Sequence, residues 1–358
     1  METRTYRILS INPGSTSTKI GVFDGDECVF EQSISHSTEE LSHFHTIMEQ
    51  REMRLATIDR VLSERAIAPE SIDAFVGRGG ILKPMLSGVY EVTDEMLRDL
   101  TCGKAALHAS ALGGIFARAY GDRYGKPSYI VDPVVVDERD EVAKVTGIPG
   151  APRTSVFHAL NQKSVARAYA KSVGKRYDEC CVVVAHLGGG ISIGAHEFGR
   201  VIDVTNAIDG DGPLSPERCG AVEVTKVVEM CFSGEHTRQQ MLDYATKKGG
   251  FVAHLGTTDC REVERRIACG DQKAALVFEA MGYGVAKHIA AMAAALKGRA
   301  EAIIITGGMA RSELLMSNIR AHVEFIAPVV VYPGEDELKA LAEGGLRVLS
   351  GREQPRTY

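Results

Sequence analysis

Three stretches of this sequence carry the residue types that hold and transfer a charged oxygen group. In Asn12-Pro13-Gly14-Ser15-Thr16-Ser17-Thr18-Lys19 a proline-glycine bend is crowded with an amide, hydroxyls and a lysine. Glycine there lets backbone N–H groups approach an anion closely, and the polar side chains add donors. The design returns in His186-Leu187-Gly188-Gly189-Gly190-Ile191-Ser192, and a third glycine turn, Thr306-Gly307-Gly308-Met309, follows another apolar run. Arginines and a histidine accompany these turns: Arg78 at the tip of Gly77-Arg78-Gly79-Gly80, His158 after Phe157, and Arg218 in Ser215-Pro216-Glu217-Arg218. Glycine turns with arginines and histidines, but no paired base and nucleophile, suit phosphoryl transfer. That reaction needs in-line positioning, Mg2+ on phosphate oxygens, and cations around the moving group. Arginine fits because its planar fork pairs with phosphate and carboxylate oxygens alike.

The elements that must position these residues are readable from apolar runs and turn residues. Residues 6–11 read as a buried strand, 19–23 as a second, and Asp24-Gly25-Asp26 as the hairpin turn leading to a third at 29–34. Residues 182–195 repeat the unit, with Ile20-Gly21-Val22 and Ile193-Gly194-Ala195 in the same place in each. This duplication implies an α/β chain of two actin/hexokinase-like (ribonuclease H-like) domains with a nucleotide cleft between them. The expected division is 1–155 and 156–334, with a final helix over 335–350 packing back on the first domain. Helices are expected over 41–66, 93–103, 104–120, 155–173, 221–231, 237–246 and 274–297, with further strands at 71–76, 127–132, 302–305 and 329–332. Asp132 ends one of these strands, His158 falls in the first turn of the 155–173 helix, and 206–220 reads as a site loop. His36, His43 and His45 are expected as exposed helix-start residues rather than metal ligands.

Bulk properties narrow the function. The 358 residues favour about two domains, and a net charge of −6 argues against nucleic acid or an anionic membrane as the main partner. No apolar run approaches the roughly 20 residues needed to cross a bilayer, and the first residues are too polar for a signal peptide. The eight cysteines lack C-x-x-C spacing, so a reduced, cytoplasmic setting is expected. Gly190-Ile191-Ser192-Ile193-Gly194 matches the serine-hydrolase pattern G-x-S-x-G, but that elbow needs a strand-to-helix turn, and Ser192 sits in a strand-hairpin context. A nucleotide-binding module without catalysis is the non-enzyme alternative, and it would not need so many cations.

Taken together, the motifs resemble the acetate/butyrate kinase family. They are Ile11 to Lys19, Gly77 to Pro84, Val131 to Glu138, Phe157 to Lys163, Ala185 to Gly190, Asp209 to Gly220, and Thr306 to Met309, in that order over nearly the whole chain. The resemblance implies phosphorylation of a short carboxylate by ATP, giving an acyl phosphate and ADP, with Mg2+ and without a phosphoenzyme. It implies that Asn12 and Arg78 contact the transferring phosphate and the carboxylate, that His158 and Arg218 stabilise the transition state, and that Asp132 acts near metal or substrate. It further implies that Ser15, Ser17, Lys19, His186, Gly188, Gly189 and Gly190 hold phosphates, that Asp259 and Arg261 contact the nucleotide, and that Gly307, Gly308 and Met309 border the adenosine. Asn12 and Glu337 are the implied metal-linked residues, and Leu107, His108, Phe157 and Pro213 the expected acyl-side contacts. Acetate kinases carry Asn where Gly189 stands, a second histidine where Gln162 stands, and an acid and Asn near Ala310-Arg311, while Arg78 aligns only with a shift. These departures point to the butyrate branch, with butyrate or isobutyrate as the acid; acetate or propionate is the alternative. A homodimer or higher homo-oligomer is also implied.

Overall fold

A computed structural model describes residues 4–103, 106 and 108–358. The chain forms two compact units, one holding the residues up to Val136 together with Asp336–Tyr358, the other Asp137–Glu335. The division falls at Val136/Asp137, ahead of the proline-rich stretch at 149–154.

The first unit is built on a six-stranded sheet in the order β3-β2-β1-β4-β6-β5. Its strands are β1 (Arg7–Pro13), β2 (Ser17–Asp24), β3 (Glu27–Ser35), β4 (Ala74–Arg78), β5 (Val89–Glu91) and β6 (Ser128–Val131). β1, β2 and β3 form an antiparallel meander, and β4 then β6 add parallel to β1. Leu9 and Ile11 face a core shared with Leu55 and Ile58 of the helix Arg51–Glu64 and with Phe116 and Tyr120 of the helix Ala111–Tyr124. Ile8 points the other way, to the helix Glu337–Leu349, as the two-residue period of a strand requires. The helix Ala111–Tyr124 lies against β4 at backbone distance, and the helix Glu337–Leu349 packs tightly on side chains of β1 and β4. A Cβ on Gly77 would sit 1.9 Å from the Gly113 carbonyl oxygen, and one on Gly345 2.8 Å from Val76. Glycine is therefore required at these contacts.

The helix expected over 41–66 is interrupted. Thr38–Ser42 forms one turn capped by Ser37, a 3-10 turn follows at Met48–Gln50, and Arg51–Glu64 is the regular helix. The intervening His43-Phe44-His45-Thr46-Ile47 is aromatic and β-branched, which weakens helix there. His36 is not an exposed helix-start residue: it is 5% exposed and hydrogen-bonds Thr18 Oγ1 at 2.9 Å. The expected 93–103 and 104–120 helices are realised as Asp94–Leu100 and Ala111–Tyr124.

The second unit repeats the plan in a five-stranded sheet, β11-β10-β7-β8-β9. Its strands are β7 (Cys181–Leu187), β8 (Ile191–Glu197), β9 (Arg200–Val204), β10 (Ala302–Gly307) and β11 (Val329–Pro333). β7, β8 and β9 are an antiparallel meander, with β10 and β11 parallel to β7. Alternation sorts the side chains: Val183, Ala185 and Leu187 pack with the long helix Gln272–Ala295, while Val182 and Val184 pack with Ala166 and Tyr169 of the helix Ala159–Ser172. No helix among the described residues is long and apolar enough to cross a membrane.

Candidate active site

In the first unit, three of the expected residues meet. Asn12 lies next to the end of β1, Arg78 ends β4, and Glu337 opens the helix Glu337–Leu349. Asn12 Nδ2 donates to Glu337 Oε2 at 2.5 Å, and the Arg78 guanidinium donates to the same oxygen at 2.6 Å and to Asn12 Oδ1 at 3.4 Å. The backbone of Arg78 is fixed by Gly113, whose missing Cβ would lie 2.5 Å from the Arg78 carbonyl oxygen. Glu337 is 8% exposed and stands at a helix N-terminus, where the backbone N–H groups favour a carboxylate. Asp132, after β6, is buried and accepts hydrogen bonds from Ser87 Oγ at 2.6 Å and Gly88 N–H at 2.8 Å. Its φ of 39° is unusual for a non-glycine residue. His108 is exposed; Leu107 lies outside the described residues.

The Gly14 turn joins β1 to β2, with Ser15 and Lys19 exposed and Ser17 half-buried. It is held from beneath by a residue that sequence reasoning missed. Arg54, fully buried, donates to the carbonyls of Gly14, Ser15 and Ser17 at 2.9–3.0 Å, and also to Thr18 Oγ1 and Gln50 Oε1. In a trans peptide the C=O and the following N–H point in opposite directions. With the Gly14 and Ser15 carbonyls turned to Arg54, the N–H groups of Ser15 and Thr16 face away from it.

In the second unit, alternation along β7 and β8 places His186, Ser192, Gly194 and His196 opposite the helix Ala159–Ser172, whose N-cap is His158. The His158 and His186 rings stack 3.7 Å apart at 9°. His186 Nδ1 is 2.7 Å from Asn161 Oδ1; its buried Nε2 is 3.0 Å from Glu335 Oε1, without hydrogen-bond alignment. Arg218 packs on the Gly188-Gly189-Gly190 turn so closely that a Cβ on Gly190 would lie 1.5 Å from its guanidinium. Ser215 Oγ donates to the Gly189 carbonyl at 2.7 Å, which stitches the 206–220 loop to the turn. The Nε of Arg218 is buried without a hydrogen-bond partner, and among the described residues no carboxylate forms an ion pair with it. Burial holds this guanidinium below its ordinary pKa, and neighbouring Glu217 only partly offsets that. A half-buried cation without an anion is costly to keep and is ready to receive one.

A cavity of about 760 Å3 in this unit is lined by Gly188, Gly189, Asp259, Arg261, Gly308 and Met309, among others. Asp259 caps the helix Cys260–Ala268, and Arg261 turns back on its carboxylate with two hydrogen bonds of 3.0 and 2.8 Å. Gly307, at φ 93°, brings the end of β10 against β7: a Cβ there would lie 2.3 Å from the Leu187 carbonyl oxygen. Phe157 is buried just before His158, and Pro213 lies under Gly284 of the long helix. Glu335, expected in the final helix, precedes it and is a wall residue of the cavity.

His196 is fully buried, and burial followed by the charges of Lys163 and Arg167 lowers its pKa well below the ordinary 6.5. The unfolded chain therefore takes up this proton first as pH falls. The resulting stability is fully present above about pH 6.5 and is lost below it, by up to about 1.4 kcal/mol per pH unit. Thermal unfolding should show a lower Tm at pH 5 than at pH 7.5, and His196→Gln should flatten that slope. An unchanged slope in the variant would place the acid sensitivity elsewhere.

Residues 150–327 match the Acetokinase family model. The chain is 50% identical over 353 residues to butyrate kinase 1 of Clostridium acetobutylicum, covering 99% of each chain. It is 48% identical over 354 residues to a probable butyrate kinase of Clostridium botulinum, covering 99% of this chain and all of the relative. The crystal structure of Porphyromonas gingivalis acetate kinase superposes with a TM-score of 0.80 at 20% identity, over 96% of this chain and all of that one, and so shares its actin-like fold. With near-half identity maintained from end to end, the chain belongs to the acetokinase family, among its butyrate kinases.

Proposed function

We propose that the protein is a butyrate kinase that moves the γ-phosphoryl group of ATP onto the carboxylate of butyrate, forming butanoyl phosphate and ADP. The observation that carries the reading is Arg218: a largely desolvated guanidinium, in no ion pair among the described residues and with an unbonded Nε, pressed on a glycine turn that walls a nucleotide-sized cavity. A carboxylate oxygen attacks phosphorus as the bond to the β–γ bridging oxygen breaks, and ADP carries that oxygen's charge away. No protein nucleophile is needed. Arg218 and His158 bear on the equatorial oxygens; Arg78 and Asn12 orient the incoming carboxylate and phosphate; and Asp132 acts at the substrate side. On the second unit His186, Gly188, Gly189 and Gly190 receive phosphate oxygens; on the first unit Ser15, Ser17 and Lys19 offer donors of the same kind. Asp259, Arg261, Gly307, Gly308 and Met309 receive the nucleoside, and Phe157 and Pro213 belong to the acyl side.

The donor set of Asn12 and Glu337 fits Mg2+. The hydrogen bonds from Asn12 Nδ2 and Arg78 both end on Glu337 Oε2, so Glu337 Oε1 and Asn12 Oδ1 are the oxygens that would hold the ion, hard ligands of the kind it takes when phosphates and waters complete its shell. Among the described residues no cluster of three or more His, Cys, Asp or Glu would hold a metal by itself. Mg2+ arriving with ATP would neutralise charge on the phosphate oxygens.

The test is acyl phosphate formation from Mg-ATP, trapped as hydroxamate, with acetate, propionate, butyrate and isobutyrate in parallel and with an EDTA control. Turnover favouring the four-carbon acids, abolished by EDTA, is expected. A preference for acetate would reassign the acid, since single methylenes are worth only about 1–3 kcal/mol in an apolar pocket. No product with any acid would sink the reading.

A further inference from the structure

Ser192 is the centre of Gly190-Ile191-Ser192-Ile193-Gly194, and none of the roles above uses it. It lies in β8, paired with β7, so it is no nucleophile elbow. A buried polar chain runs through it instead. His158 Nδ1 is 2.8 Å from Ser192 Oγ; Gln162 Nε2 is 2.9 Å from that oxygen and 3.0 Å from the Ser192 carbonyl oxygen. Gln162 Oε1 is 3.0 Å from His196 Nε2, and His196 Nδ1 is 2.8 Å from Tyr177 Oη.

The directions in this chain follow from one fixed acceptor. The Ser192 carbonyl can only accept, so the amide nitrogen of Gln162 must face it, and its second hydrogen reaches Ser192 Oγ. Gln162 Oε1 then accepts from His196 Nε2–H. The deeply buried His196 is held neutral, so its Nδ1 accepts from the Tyr177 hydroxyl. At the other end, Ser192 Oγ receives the Gln162 amide at 2.9 Å and the His158 backbone N–H at 3.4 Å. Its own hydrogen has one acceptor within reach among the described residues, His158 Nδ1. The two glycines that frame the serine make room for this arrangement. A Cβ on Gly194 would lie 2.6 Å from Gln162 Oε1, and Gly190 is the position occupied from the side by Arg218.

Resting on the proposed role of His158 at the transferring phosphate, we infer that Ser192 and Gln162 are positioning residues that hold the neutral imidazole of His158 in one tautomer. The serine hydroxyl occupies Nδ1 as a donor, so the proton is kept on Nε2, the edge of the ring away from Ser192. A histidine fixed this way presents N–H, a donor suited to phosphate oxygens, and does not lose time as the wrong tautomer.

Long-range 1H–15N correlation spectra of the full chain, labelled in histidine at pH 7.5, read this directly. The His158 signals are assigned by their loss in His158→Gln. The wild type should show His158 protonated on Nε2 and bare on Nδ1. Ser192→Ala should show a tautomer mixture and lower kcat about tenfold or more, with KM for ATP unchanged. Ser192→Thr, which keeps the hydroxyl, should restore both. If Ser192→Ala misfolds, Gln162→Met removes the fixed amide and should shift the same signals. A wild-type His158 protonated on Nδ1, or a Ser192→Ala protein with unaltered tautomer and kcat, would overturn the inference. Full turnover in His158→Gln would remove the catalytic role beneath it, while the spectra would still report the tautomer.

Discussion

Arg218→Met should lower kcat for acyl phosphate formation by about 10^3-fold or more, leave KM for ATP within a few-fold, and leave Tm unchanged or slightly raised. The magnitude is that of losing an arginine which stabilises charge on a transferring phosphoryl group. The unusual part is the stability. An arginine that held the fold together through hydrogen bonds would lower Tm when removed, but the Nε of Arg218 is buried without a partner and its guanidinium has no carboxylate in contact among the described residues. Its burial is a standing cost in the absence of an anion, and methionine fills similar space without it. Arg218→Lys should not rescue turnover, because an ammonium cannot present the same planar fork. Hydroxamate kinetics and thermal unfolding on one preparation decide the matter. Intact kcat with weakened ATP binding would make Arg218 a nucleotide anchor only.

Arg54→Met should do the opposite, destabilising the first unit by about 3–5 kcal/mol. Three carbonyls of the Gly14 turn end on this one buried guanidinium; methionine would take the donor from those of Gly14 and Ser15, while the Ser17 carbonyl would keep only the Gly14 N–H at 2.7 Å. Activity should fall with the turn's order even at temperatures where the variant remains folded, since the outward N–H groups of Ser15 and Thr16 depend on the inward carbonyls. Urea unfolding of the variant checks the first effect. A midpoint matching the wild type would show that the turn holds its shape without Arg54.

Much of the fold was legible because strands buried on both faces read as apolar runs, and because the glycine turns between them cannot be mistaken for helix caps. The β1/β2 and β7/β8 hairpins were visible as a repeat for that reason. What escaped was set by distance along the chain. Arg54 looks like any helix-surface arginine; its turn partners lie 37 to 40 residues earlier. His36 reads as exposed because its neighbours are polar, yet it is buried against Thr18 of the adjacent strand. Ser192 stands in a local match to a hydrolase motif, yet the two flanking glycines answer to Arg218 and Gln162, residues far from them in sequence. Local pattern reveals which backbone turns exist; it does not reveal what presses on them.

The placement of Glu337 has a consequence for biosynthesis. The first unit needs the helix Glu337–Leu349 to cover one face of its sheet, at Ile8, Val76 and Val131, and to bring a carboxylate to Asn12 and Arg78. On the ribosome that helix emerges only after the whole of residues 137–335. The unit translated first is thus the one completed last, whereas the second unit is contiguous and can finish while its predecessor waits with an open sheet face. Exposed apolar surface of that kind is what chaperones bind, so the nascent chain should carry its greatest aggregation risk through the middle of synthesis and shed it with the final helix.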